Sequence, residues 1–116
     1  MAKLLVQLAT GPEHPTRAAL ALLVARTAAS AGHEVRVFLA GDAVQLARPE
    51  TTAAVHGVGT GSLAEHWGAL REAGVPIALS GLSSKARGIA ASEGLELAPP
   101  DRLVELALWA DTTLTY

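Results

Sequence analysis

At 116 residues the chain has room for one domain with a real hydrophobic core. Half of the residues are hydrophobic, only 17% are charged and the formal net charge is -2; that balance offers no electrostatic basis for binding nucleic acid. Cysteine is absent, which excludes disulfides, thiolate chemistry and cysteine-ligated metals.

Leu4 to Ala9 reads as a first strand whose continuous apolar character suits a parallel sheet covered on both faces. Thr10-Gly11-Pro12-Glu13-His14-Pro15 is a turn, with Pro15 suited to the first helical position. A helix of alanines and leucines is expected from about Thr16 to Ser30, with Gly32 closing it. Glu34 to Ala40 is the second strand, and Arg36 within it points to a less buried place near a sheet edge. Gly41-Asp42 ends that strand, and Asp42 is placed to cap a short helix from Ala43 to Ala47, which Arg48-Pro49 stops. Glu50 to Gly61 reads as a long glycine-containing loop.

Ser62-Leu63-Ala64-Glu65 is a capping box that starts a helix running to Glu72, stopped by Ala73-Gly74. Val75 to Leu79 is the third strand. A Ser80-Gly81 step and a serine-rich turn follow, and then a helix from about Ser83 to Ala91, with Ser83 a candidate cap. Gly94 to Leu97 is a short fourth strand, Pro99-Pro100-Asp101 opens a last helix ending near Trp109, and Asp111 to Tyr116 is a last, β-branched strand. This alternation predicts one α/β domain over residues 1–116: three layers, α/β/α, around a mainly parallel sheet of about five strands.

No segment reaches the roughly 18 uninterrupted apolar residues of a membrane span, and the short apolar run after Lys3 is unlike a signal peptide. The cytoplasm is the expected location, with no membrane partner. The apolar, charge-poor composition predicts burial of surface against further copies of the chain.

The four histidines are scattered without metal-ligand spacing, so no metal site is expected. His33 reads as a surface residue and His66 as a helix-face residue. Gly57-Val58-Gly59-Thr60-Gly61 lacks both the dinucleotide fingerprint and the lysine of a P-loop, so no cofactor is expected. No nucleophile elbow surrounds any serine, and no catalytic residue is assigned.

The candidate ligand site is the carboxyl end of the third strand. Ser80, Gly81, Ser83 and Arg87 form it, with His14, Asp42 and His56 as candidate rim groups. Serine hydroxyls and a guanidinium suit an oxyanion. The competing structural reading gives Ser83 a capping role and Arg87 an ion pair with an acid such as Asp42 or Asp111.

Several of these stretches, in order, resemble the DsrE/DsrF-like family of predicted peroxiredoxins and sulfur-relay subunits. They are Thr10-Gly11-Pro12-Glu13 before Pro15-Thr16-Arg17-Ala18, Val37-Phe38-Leu39 before Gly41-Asp42, Ala73-Gly74-Val75, Ser80-Gly81, Lys85-Ala86-Arg87-Gly88, and the closing Ala110-Asp111 and Leu114-Thr115. The similarity covers essentially the whole chain. It implies a compact α/β fold and ring-like homotrimers or homohexamers. It also implies that members with persulfide chemistry carry cysteine where this chain has Ser80 or Ser83. A serine hydroxyl is not ionised near neutrality and holds no stable persulfide.

Three readings follow. The first is a non-catalytic oligomeric protein that binds a small anion or metabolite or acts as a structural partner in sulfur handling. The second is a persulfide-relay subunit whose cysteine comes from a homologous, cysteine-bearing partner. The third is a cysteine-free enzyme of unassigned reaction.

Overall fold

The computed structural model describes all 116 residues. Its main sheet has five strands: β1 (Lys3–Leu8), β2 (Glu34–Leu39), β5 (Ile77–Ser80), β6 (Leu95–Ala98) and β7 (Thr112–Thr115), in the order β6-β5-β2-β1-β7. All four pairings are parallel. The helices are α1 (Pro15–Ser30), α2 (Pro49–Ala54), α3 (Leu63–Glu72), α4 (Gly81–Ala86) and α5 (Pro100–Trp109). A 3-10 helix spans Gly41–Ala47, and β3 (His56–Gly57) and β4 (Gly61–Ser62) form a small antiparallel hairpin.

The strand order sets which face each helix covers. From β1 through β2 and β5 to β6 the chain steps always in one direction, and from β6 to β7 it returns. Right-handed crossovers then put the early helices on one face and α5 on the other. The core divides accordingly. Val6, Leu8, Val37, Leu39, Ile77 and Leu79 pack under Leu22 and Ala25 of α1 and Leu63 and Leu70 of α3. On the opposite face, Leu5, Phe38, Ala78 and Ala98 meet Leu106 of α5 in a much smaller cluster. This is the expected three-layer α/β/α arrangement, with one thick layer and one layer of a single helix.

Several local expectations are met through the expected chemistry. Pro15 stands at the start of α1, and Gly32 follows its last turn with φ +90°. Ser62 Oγ accepts the Glu65 N–H at the start of α3.

Four expectations are corrected. Arg36 is not near an edge, because β2 is the central strand. It is tolerated there because its guanidinium leaves the core and lies over the Trp109 ring, 4.6 Å from the centroid. The segment 50–61 is not a loop: Pro49 begins α2 rather than merely ending the preceding helix, and the glycines turn the β3–β4 hairpin. The helix expected over 83–91 runs only from Gly81 to Ala86, since Gly88 at φ +68° diverts the chain. Asp42 does not cap the 3-10 helix, whose N-cap is Ala40 without a side-chain bond.

His66 is the main polar residue inside the thick layer, 5% exposed on the inner face of α3. Its Nε2 lies 2.7 Å from the Thr60 carbonyl and its Nδ1 lies 3.2 Å from Arg26 Nη1. A carbonyl only accepts and a guanidinium only donates, so Nε2 carries the proton and Nδ1 accepts. One imidazole thus ties the hairpin, α3 and α1 together. Replacing it by alanine strands both partners. His66→Ala is expected to cost about 1–3 kcal/mol and to lower hydrogen-exchange protection around the hairpin first. An unchanged melting temperature would show that the tie carries no weight.

Candidate functional site

The carboxyl edge of the sheet carries Ser80 at the end of β5, with Gly81 opening α4 directly after it. The chain leaves β5 toward the α1 side and leaves β6 toward the α5 side. Divergence of this kind opens a crevice between two neighbouring strand ends in open α/β sheets. Ser80 ends β5 at this point, and Ala98 ends β6 beside it. Gly81 suits the junction: a Cβ there would lie 3.4 Å from the Ala98 carbonyl oxygen, so a larger side chain would press on β6.

Ser80, Gly81, Ser83, Asp42 and Arg87 come together here. Ser80, not Ser83, is the N-cap of α4, and its Oγ accepts the Ser83 N–H at 3.3 Å. Ser83 Oγ accepts the Gly41 N–H at 3.0 Å and so joins α4 to the turn after β2. Arg87, just past α4, forms an ion pair with Asp42 of that same turn. The pair is roughly half exposed, with side-chain exposures of 40% and 48%. Arg48 reaches across from the end of the 3-10 helix and donates to the Arg87 carbonyl. Of the alternatives read from the sequence, the partner of Arg87 is Asp42 and not Asp111, whose carboxylate instead accepts the Lys3 N–H.

Both serine hydroxyls act as acceptors in these bonds, so each retains a proton to donate outward. The Arg87 guanidinium has five N–H groups, more than one carboxylate engages. The cluster therefore presents donors and would suit an oxygen-rich anion or a polar neutral molecule.

His14 and His56 are not part of this cluster. His14 lines a cavity of about 440 Å³ with Thr16, Arg17, Leu20 and Tyr116. His56 lines another of about 500 Å³ with Pro12, Glu50 and Thr51. Pro15 borders both, so the two histidines flank the N-terminus of α1. None of the five principal cavities is lined by Ser80, Gly81, Ser83 or Arg87. A depression of about 400 Å³ between α2, α3 and the 92–95 segment, with Trp67 and Arg71 on its wall, went unnoticed in the sequence. Its walls come from stretches far apart in the chain, and no local pattern marks them. No three His, Asp or Glu side chains converge as a metal-binding group.

The model of the DsrE/DsrF-like family matches residues 2–116. No curated protein matches the sequence significantly. Among solved structures, the crystal structure of the ychN protein from E. coli superposes with a TM-score of 0.84 at 22% identity, covering 100% of both chains. At that identity the likeness concerns the fold alone. Because this chain lacks cysteine altogether, neither sulfenic acid nor persulfide can form on it. With its full-length match and its five-stranded α/β/α architecture, the chain belongs to the DsrE/DsrF-like family, as a member without thiol chemistry of its own.

Proposed function

We propose that this protein is a non-catalytic, oligomeric module that binds a small anion or metabolite at the carboxyl edge of its sheet, or serves as a structural partner in sulfur handling. The observation that carries the reading is the gathering of Ser80, Gly81, Ser83, Asp42 and Arg87 beside the β5–β6 divergence. Two hydroxyl protons and an incompletely used guanidinium favour an oxyanion, which would compete with Asp42 for Arg87.

Calorimetric titration with sulfate, thiosulfate and phosphate tests this. The wild-type protein is expected to bind at least one of them at millimolar concentration. Arg87→Ala is expected to weaken binding about tenfold or more, the loss of one charge-assisted contact. The fold should hardly change, because a half-exposed ion pair contributes only about 0.2–1 kcal/mol. If the wild type binds none of these anions, the anion-binding reading fails and the structural-partner reading stands. If Arg87→Ala instead yields a smaller particle, Arg87 braces the assembly.

A relay subunit whose cysteine is supplied by a partner is the alternative. It draws on Ser80 at the end of β5 and Ser83 in α4, the two positions at which the resemblance implies cysteine in sulfur-carrying members. Co-elution with a cysteine-bearing homologue, and persulfide transfer only in that mixture, would favour it.

A further inference from the structure

The depression of about 400 Å³ between α2, α3 and the 92–95 segment lies away from the carboxyl-edge cluster. Leu95 on its wall begins β6, whereas Ala98 at the other end of that strand adjoins Ser80. Its volume falls within the range of about 300–1,000 Å³ usual for small-molecule sites. Its wall combines a ring, a cation and an anion.

The ring is Trp67. Helix α3 turns Ala64, Trp67, Gly68 and Arg71 toward the depression, the i, i+3, i+4, i+7 spacing of one helix face. Trp67 packs against the core of the thick layer and also borders the depression. Its neighbours Ala64 and Gly68 are small, so a second flat group has room beside it.

The cation is Arg71. Its Nη2 donates to the Glu93 carbonyl at 2.7 Å. The guanidinium lies against Gly94, at φ +78°, where any Cβ would collide with it. No carboxylate stands within ion-pair distance of Arg71, and its remaining N–H groups suit an oxyanion. The anion is Glu93, which borders the same depression and has no basic group within ion-pair distance. The other charges nearby are placed elsewhere. Glu72 follows Arg71 by one residue and so points off that helix face. Glu96 pairs with Arg102. Arg48 and Glu50 line an adjoining depression of about 240 Å³, and Arg48 is committed to the Arg87 carbonyl.

We propose that this depression binds a free aromatic α-amino acid, with its carboxylate on Arg71, its ammonium on Glu93 and its ring beside Trp67. One zwitterion then answers both unpaired charges. The hydrogen bond from Arg71 to the Glu93 main chain keeps the two residues adjacent, which suits two charges borne on a single α-carbon. The site goes beyond the carboxyl-edge reading and does not rest on it.

Titration with L-phenylalanine tests the proposal, followed by the indole N–H resonances of the two tryptophans. The Trp67 resonance is expected to shift and to saturate at millimolar concentration. That of Trp109, with Lys3 and Arg36 over its ring in α5, should stay in place. 3-Phenylpropionate lacks the ammonium and phenethylamine lacks the carboxylate, and each should bind about tenfold more weakly than phenylalanine. Arg71→Ala should weaken phenylalanine binding about tenfold. Gly68→Leu should abolish binding without lowering the melting temperature, because an added Cβ there meets nothing within 4 Å and glycine is the poorer helix former. A Trp67 resonance unmoved at millimolar phenylalanine would overturn the site. So would full affinity in Arg71→Ala, or in a folded Gly68→Leu. Equal binding of 3-phenylpropionate and phenylalanine would overturn the assignment to an amino acid.

Discussion

Phe38→Ala is expected to destabilise the protein by about 3–5 kcal/mol, the usual cost of emptying a buried phenylalanine site. Phe38 is 2% exposed and is the only aromatic ring in the cluster beneath α5. Its neighbours Ala78 and Ala98 are small, and that is what makes room for the ring on β2. Once it is gone, Leu5 and Leu106 are the only large fully buried side chains left in that cluster, with the partly buried Leu103 beside them. A domain of this size has roughly 5–15 kcal/mol in total, so the melting temperature should fall by about 10 °C or more. The thick layer keeps its larger core, so amides of α5 should lose hydrogen-exchange protection before those of α1. Uniform loss of protection through both layers would instead mean that the two cores unfold as one unit.

Gly11→Ala should also be costly, for a steric reason. Gly11 is buried in the turn after β1, and its N–H donates to Glu13 Oε1 at 2.9 Å. A Cβ at this position would lie 2.2 Å from the carbonyl oxygen of Asp42. That neighbour is backbone and cannot swing aside, so the turns after β1 and β2 must separate. Overpacking of this kind costs about 1–3 kcal/mol. The displacement falls on the residue that pairs with Arg87 and should loosen that ion pair as well. Thermal denaturation of the variant checks the first effect, and its sulfate affinity compared with wild type checks the second. A melting temperature equal to the wild type would show that the two turns part freely.

The nominated site residues were legible in unequal degree. Ser80, Gly81 and Ser83 stand at an apolar run that ends in a helix-starting turn, and this local signal places them at a strand end in the fold too. Arg87 and Asp42 are 45 residues apart, and nothing local shows that they meet. In the sequence His56 lies in a glycine-rich stretch within reach of the third strand's end, and His14 precedes a helix and could line the same rim. They fall instead around the N-terminus of α1, since the hairpin packs against that helix: the Val58 N–H donates to Thr16 Oγ and Thr60 Oγ donates to the Thr16 carbonyl. His66 was visible only as a residue on a helix, and which face is inward depends on the partner the helix meets.

The sequence by itself determined the alternation of strands and helices, the parallel sheet, the family and the absence of thiol chemistry. These rest on periodicity, capping residues and composition, all read within a few residues of one another. Tertiary structure decided the rest. It placed β2 at the centre of the sheet despite Arg36, by giving that side chain Trp109 to lie on. It brought Arg87 to Asp42 and left Val104 and Leu108 of α5 facing outward. The physical reason is the same in each case. Strand order, ion pairing and exposure depend on contacts between segments distant in the chain, and the energy of those contacts exists only once the chain has closed around its two cores.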